Sequence, residues 1–182
     1  FNRGSKEKMN TMPRRTTYNN WEDEMILGPN QDGIWNADFY GGDLLGINES
    51  LDYIESLGVS ILYLSPIVWS QSNHRYDTAD YENVDPYAGD NEDLEKLCYE
   101  AHKRGMKVIL DGVFNHSGSM FEPFQDVLKN QENSKYKDWY YVEEFPLKWG
   151  WGSKPTFKTF AYFGGMPKLN LNNPEVQEYC LN

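Results

Sequence analysis

Two cysteines among 182 residues leave nothing from which to build a disulfide framework. Cys98 falls on the apolar stripe of an expected helix and Cys180 near the chain end. Both are expected as buried thiols, which favours a reducing compartment and puts the cytoplasm first. Basic residues are also short: 17 Lys and Arg face 28 Asp and Glu, for a net charge of −11 and a pI of about 4.7. A nucleic-acid partner, whose phosphates want clustered Lys and Arg, is therefore disfavoured. No apolar run approaches the roughly 20 residues needed to cross a bilayer, and the mean hydropathy is −0.75, so no membrane span is expected within the chain. No Gly-rich loop follows either of the apolar strands described next, which argues against a nucleotide-binding protein.

The chain does contain a repeated helix-to-strand grammar. Residues 91–105 read as an amphipathic helix with Leu94, Leu97, Cys98 and Ala101 on one stripe and Gly105 as its stop. A β-branched run, Val108-Ile109-Leu110, follows and leads straight into Asp111, Asn115 and His116. Earlier, Asn48 is expected to cap a helix carrying Leu51, Ile54 and Leu57; Gly58 ends it, and Val59 to Leu64 forms the next strand. Two such units in tandem predict a parallel sheet of α/β class, and strand ends in such sheets are where chemistry is placed.

Several blocks go further: Phe39-Tyr40-Gly41-Gly42-Asp43-Leu44, Leu64-Ser65-Pro66-Ile67, Asn73-His74-Arg75-Tyr76-Asp77-Thr78-Ala79-Asp80-Tyr81, and Asp111 to His116. On these the chain, from Phe39 to its last residue, resembles the α-amylase family of (β/α)8-barrel glycoside hydrolases. Met166-Pro167-Lys168-Leu169-Asn170 resembles the marker of the neopullulanase, cyclomaltodextrinase and maltogenic amylase branch. The resemblance implies a partial TIM barrel: about strands 2 and 3 with their helices in residues 1–116, an inserted small domain in 117–165, and a return to the barrel in 166–182.

Composition fits an insertion there, because the helix–strand grammar stops after Ser117 and an aromatic, Gly- and Pro-marked stretch begins, too long for a plain loop. Residues 120–130 read as a short helix, 138–142 as a strand, and Asn173 as the cap of a last helix opened by Pro174. Rings make up 15% of the chain, and exposed rings suit the apolar faces of sugars. Lys148 to Gly152 and Thr159 to Phe163 are the candidate sugar contacts; otherwise these rings serve as the core of a unit poor in Leu, Ile and Val.

For function, the resemblance implies a retaining hydrolase of α-1,4 bonds in cyclodextrins, pullulan, starch or maltooligosaccharides. Such enzymes need a nucleophile carboxylate and an acid/base carboxylate. The family's Gly-x-Arg-x-Asp block is absent from these residues, so the chain is expected to be a piece of the enzyme, inactive alone. In the family pattern Asp111 is not the nucleophile; it holds the Arg that orients it. Tyr76 is the ring under the reacting sugar, His116 a contact to that sugar's hydroxyls, and His74 a further candidate contact. The other reading is a noncatalytic, carbohydrate-binding relative of the same barrel.

No cofactor is required by this chemistry. Calcium enters only through resemblance, at Asn115 or at a loop after the first strand joined to Gly41 and Asp43. That loop, Asn2 to Met9, is basic and short of acids, so binding is expected to be weak or absent. The expected partners are an α-glucan and, because two or three parallel strands leave edges and apolar faces open, the rest of the barrel or another copy of the chain. Bond preference, hydrolysis against transglycosylation, the oligomer and the compartment stay open.

Overall fold

The computed structural model describes residues 2–4, 14–18, 20, 22–29, 33–150 and 154–182. The chain forms two compact units, Phe1–Arg75 with Tyr81–Asp111, and Tyr76–Asp80 with Gly112–Asn182.

In the first unit, β1 (Thr16–Thr17) pairs in parallel with β2 (Asp38–Phe39). Helix α1 (Leu44–Glu49) follows and passes through Ser50 into α2 (Leu51–Ser56). The expected cap at Asn48 is corrected here: the helical segment starts earlier, at Asp43, whose side chain accepts from the Gly46 N–H at 2.7 Å. A carboxylate caps a helix start better than a residue already inside its last turn. Strand β3 (Ile61–Leu64) comes next, then β4 (Val68–Ser70), which pairs with β5 (Thr78–Val84); Tyr81–Val84 of β5 lie in this unit and Thr78–Asp80 in the second. Helix α3 (Asn91–Lys103) is closed at its start by a reciprocal capping box between Asp90 and Asp93. It leads into β6 (Lys107–Leu110), which pairs with β3 in parallel, Ile61 to Lys107 through Leu64 to Leu110. Gly58 and Gly105 both take the left-handed conformation expected of them, at φ 77° and 73°.

Alternation along β3 and β6 sorts their side chains, except that Leu110 at the end of β6 is 47% exposed. Leu62, Leu64 and Val108 join Leu44, Leu51, Ile54, Leu97, Ala101 and Met106 in one apolar core, while Ile61, Tyr63 and Ile109 stay 44–63% exposed. The expectation of an uncovered apolar face is thus met in this unit. Cys98 and Cys180 are half-buried rather than buried, and burial pushes both thiols up from their ordinary value.

A second feature of this unit is a buried charge cluster. Asp85 Oδ1 accepts from Arg15 Nη1 at 2.9 Å, Asp85 Oδ2 accepts from Arg15 Nη2, and Arg75 Nε stands 3.6 Å from the same oxygen. The Arg15 guanidinium also lies 4.4 Å over the Phe39 ring. Burial pulls the Arg75 guanidinium below its ordinary value, against the opposing pull of Asp85.

The second unit is built on aromatic packing. Helix α4 (Glu122–Asn130) buries Phe124 and Val127 completely, and the Phe124 ring meets those of Tyr140 and Phe157 at 5.0 and 5.1 Å. Residues 138–142 do not form the expected strand. Lys137–Trp139 is a 3₁₀ turn, and only single residues pair beyond it, Tyr140 with Leu169 and Val142 with Phe157. Trp139 turns into the core and donates its indole N–H to Glu175 at 3.0 Å, a demand that period-two reading cannot see. Helix α5 (Pro174–Leu181) is capped as expected by Asn173, which accepts from the Glu175 N–H at 2.9 Å. Among the described residues no helix is long and apolar enough to cross a membrane.

Asp85→Asn should destabilise the folded protein by about 3–5 kcal/mol, because it leaves two guanidiniums buried without their counter-charge. Urea unfolding followed by circular dichroism checks this; a loss below about 1 kcal/mol, the scale of an exposed ion pair, would count against the cluster as described.

Candidate active site

Asp111 is the first residue beyond β6. Its N–H donates to Leu64 O at 3.1 Å, which carries the parallel pairing one step past the strand. Its carboxylate Oδ2 accepts from the Tyr63 hydroxyl at 2.7 Å. Tyr63 was not singled out in the sequence. The available signal was its place on β3 one residue before the strand end, on the face opposite the core.

His74, also in the first unit, has Nδ1 3.0 Å from Ser72 Oγ. Arg75 follows with φ 59°, a left-handed conformation unusual for a residue with a Cβ.

In the second unit the structure brings Tyr76, Asn115 and His116 together. Asn115 Nδ2 stands 3.1 Å from His116 Nδ1, and His116 Nε2 stands 3.0 Å from the backbone carbonyl of Tyr76. An amide NH2 only donates and a carbonyl only accepts, so Nδ1 is the acceptor and Nε2 carries the proton. Phe160 stacks on the imidazole at 4.8 Å with 17° between planes, and His116 is only 4% exposed, against 40% for Tyr76. Both ring nitrogens are thus held by the protein, and a sugar hydroxyl reaching His116 must displace one of these contacts.

Backbone pairing fixes this group. Leu169 N–H donates to Asn115 O at 3.1 Å, Ser117 N–H to Pro167 O at 3.1 Å, and Ser119 N–H to Gly165 O at 2.9 Å, so 115–119 runs antiparallel to 165–169. On its other side Gly118 N–H donates to Thr78 O at 2.7 Å. A Cβ on Gly118 would lie 2.2 Å from Asp77 O, so only glycine permits this approach of two backbones.

Of the aromatic candidates, Trp149, Phe160, Tyr162 and Phe163 are exposed, whereas the rings of Trp139, Tyr140 and Phe157 form core. Trp151 lies outside the described residues, as does the basic loop from Ser5 to Met9.

The calcium expectation meets committed donors. Asp43 Oδ1 accepts from the N–H groups of both Gly46 and Gly4, at 2.7 and 2.9 Å. Asn115 presents its amide to His116, and no cluster of three or more acidic, His or Cys side chains with metal-holding geometry exists among the described residues. Among the described residues, the side chains of Asp43 and Asn115 offer by themselves too few oxygens for a cation that wants six to eight.

A family model described as "Alpha amylase, catalytic domain" matches residues 1–182. The chain belongs to the α-amylase family. It is 51% identical over 144 residues to a cyclomaltodextrinase of Geobacillus thermopakistaniensis, covering 79% of this chain and 24% of that protein. With neopullulanase 2 of Thermoactinomyces vulgaris it shares 51% over 145 residues, again 79% and 24% of the two chains. Among solved structures, a cyclic α-maltosyl-(1→6)-maltose hydrolase from Arthrobacter globiformis, in complex with cyclic α-maltosyl-(1→6)-maltose, superposes with a TM-score of 0.75 at 40% identity, over 79% of this chain and 32% of that one. The chain therefore spans about a quarter of the length of the curated relatives it matches.

The neutral His116 ring should be found as the Nε2–H tautomer in long-range proton–nitrogen NMR spectra, and Asn115→Ala should admit the Nδ1–H form. A neutral ring carrying its proton on Nδ1 in the unaltered protein would contradict the pairing.

Proposed function

We propose that the protein carrying this chain is a retaining α-glucan hydrolase that cleaves α-1,4 bonds in cyclodextrins, pullulan, starch or maltooligosaccharides. The observation that carries this reading is Asp111, a carboxylate at the carboxyl end of a parallel strand, in a chain of this family. Half-identity to relatives named for cyclodextrin and pullulan cleavage supports the substrate class.

In this reading β3 and β6 are the second and third strands of a (β/α)8 barrel, and 117–165 is the domain inserted after the third. Tyr76 offers its ring to the sugar at the cleavage point. His116 holds the Tyr76 carbonyl and meets sugar hydroxyls by exchanging a contact, with His74 nearby in sequence as a further contact. Asp111 keeps an arginine, supplied by sequence beyond these residues, charged and aimed at the nucleophile. The two carboxylates that break the bond also come from outside these 182 residues. The exposed face of Ile61, Tyr63 and Ile109 is then covered by the remaining barrel, or, when the chain stands alone, by another copy of itself.

The full-length protein should release sugar from cyclodextrin with the α-anomer first seen by NMR, and Tyr76→Ala should lower kcat/KM by about 10- to 100-fold, a loss of one to two tenfold steps in transition-state stabilisation. Sugar release with inversion, or none from any α-glucan, sinks the proposal, and tight maltotriose binding without release would favour the noncatalytic relative. The isolated 182 residues should be inactive and should sediment as associated species; a monomer that melts cooperatively would show that the exposed face needs no cover.

A further inference from the structure

Strands β1 and β2 run parallel and are extended by one further bond, from Tyr18 N–H to Phe39 O at 2.9 Å. Beyond that bond the carbonyls of Tyr18 and Tyr40 face one guanidinium. Arg3 Nε donates to Tyr40 O at 2.7 Å, and Arg3 Nη2 donates to Tyr18 O at 2.6 Å and reaches Asn20 O at 3.4 Å. The rings of Tyr18 and Tyr40 stack at 4.6 Å, nearly parallel. Three carbonyl dipoles converging on one place suit a cation, and backbone carbonyls are ordinary ligands of hard metal ions.

The main chain beside Arg3 is locked to the Gly41-Gly42-Asp43 turn. Asp43 N–H donates to Asn2 O at 3.1 Å, and Gly4 N–H donates to Asp43 Oδ1 at 2.9 Å. Two glycines make the room. A Cβ on Gly41, which sits at φ 83°, would lie 2.7 Å from Arg3 Nε, and one on Gly46 would lie 2.0 Å from Asn2 O. A side chain at Gly46 would collide with that backbone oxygen, and one at Gly41 would be strained by the positive φ.

We propose that Arg3 is the structural cation of this turn: its guanidinium fills the carbonyl cluster, so the end of the β1–β2 pair is ordered by the chain's own charge and not by calcium. A guanidinium suits the place because it is planar, permanently charged and presents several donors in fixed directions. Each of its bonds to a carbonyl is charge-assisted. A divalent ion brought here meets a positive charge already seated and an Asp43 oxygen already taken by two N–H groups.

The test is the melting temperature of the full-length protein in chelator and in millimolar calcium, beside Arg3→Met and Arg3→Lys. The unaltered protein is expected to melt at one temperature in both solutions. Arg3→Met, which keeps the length and removes the charge, should melt lower by about 5 °C, and Arg3→Lys, which keeps the charge, should recover part of that loss. If Arg3→Met fails to fold, the calcium series on the unaltered protein still decides. A melting temperature raised by calcium in the unaltered protein overturns the proposal, as does an Arg3→Met protein that melts with it.

Discussion

The parallel pairing of β3 with β6 is the constraint on which the first unit rests. A parallel pair cannot be closed by a tight turn, so the chain must travel out through β4, β5 and α3 before it returns. That excursion supplies the helix whose Leu97 and Ala101 seal the core behind the sheet. Register then does the rest: with Leu64 opposite Leu110, the next residue, Asp111, emerges one step beyond the pairing, within reach of the Tyr63 hydroxyl. A slip of β6 by one residue would send Asp111 to the core side and out of reach of the Tyr63 hydroxyl.

The second unit reaches order by another route. It has few aliphatic residues, and rings do the packing, with α4 laying Phe124 against Tyr140 and Phe157. Around His116 the ordering is done by backbone. The 115–119 segment is held on one side by 165–169 and on the other by Thr78. The imidazole is thus oriented by the main-chain pairing of its segment, the Asn115 amide, the Tyr76 carbonyl and the Phe160 ring.

Periodicity made the elements of the first unit legible. The α3 stripe, the glycine stops and the two strands read from spacing alone, because each element there is amphipathic and each is bounded by a residue with special backbone geometry. The Asn48 cap misled because Asn is a good capping residue, and only the position of Gly46 N–H under Asp43 shows which side chain has the task. Residues 138–142 misled for a different reason. Trp139 and Tyr140 are strand formers by composition, but burial of the indole and its bond to Glu175, far along the chain, decide the local shape. Of the candidate site, Tyr76, Asp111 and His116 are named through the family's blocks, whereas Tyr63 and the stacking of Phe160 depend on register and on a contact across 44 residues, which no local pattern encodes.

The Tyr63 hydroxyl on Asp111 also bears on the order of assembly. In the proposed reading this carboxylate awaits an arginine from beyond these residues, and the hydroxyl, with the strand beneath, holds it in one direction until then. On that reading the arginine would exchange one donor for two at a side chain already aligned, so its arrival would cost little rearrangement of the strand end.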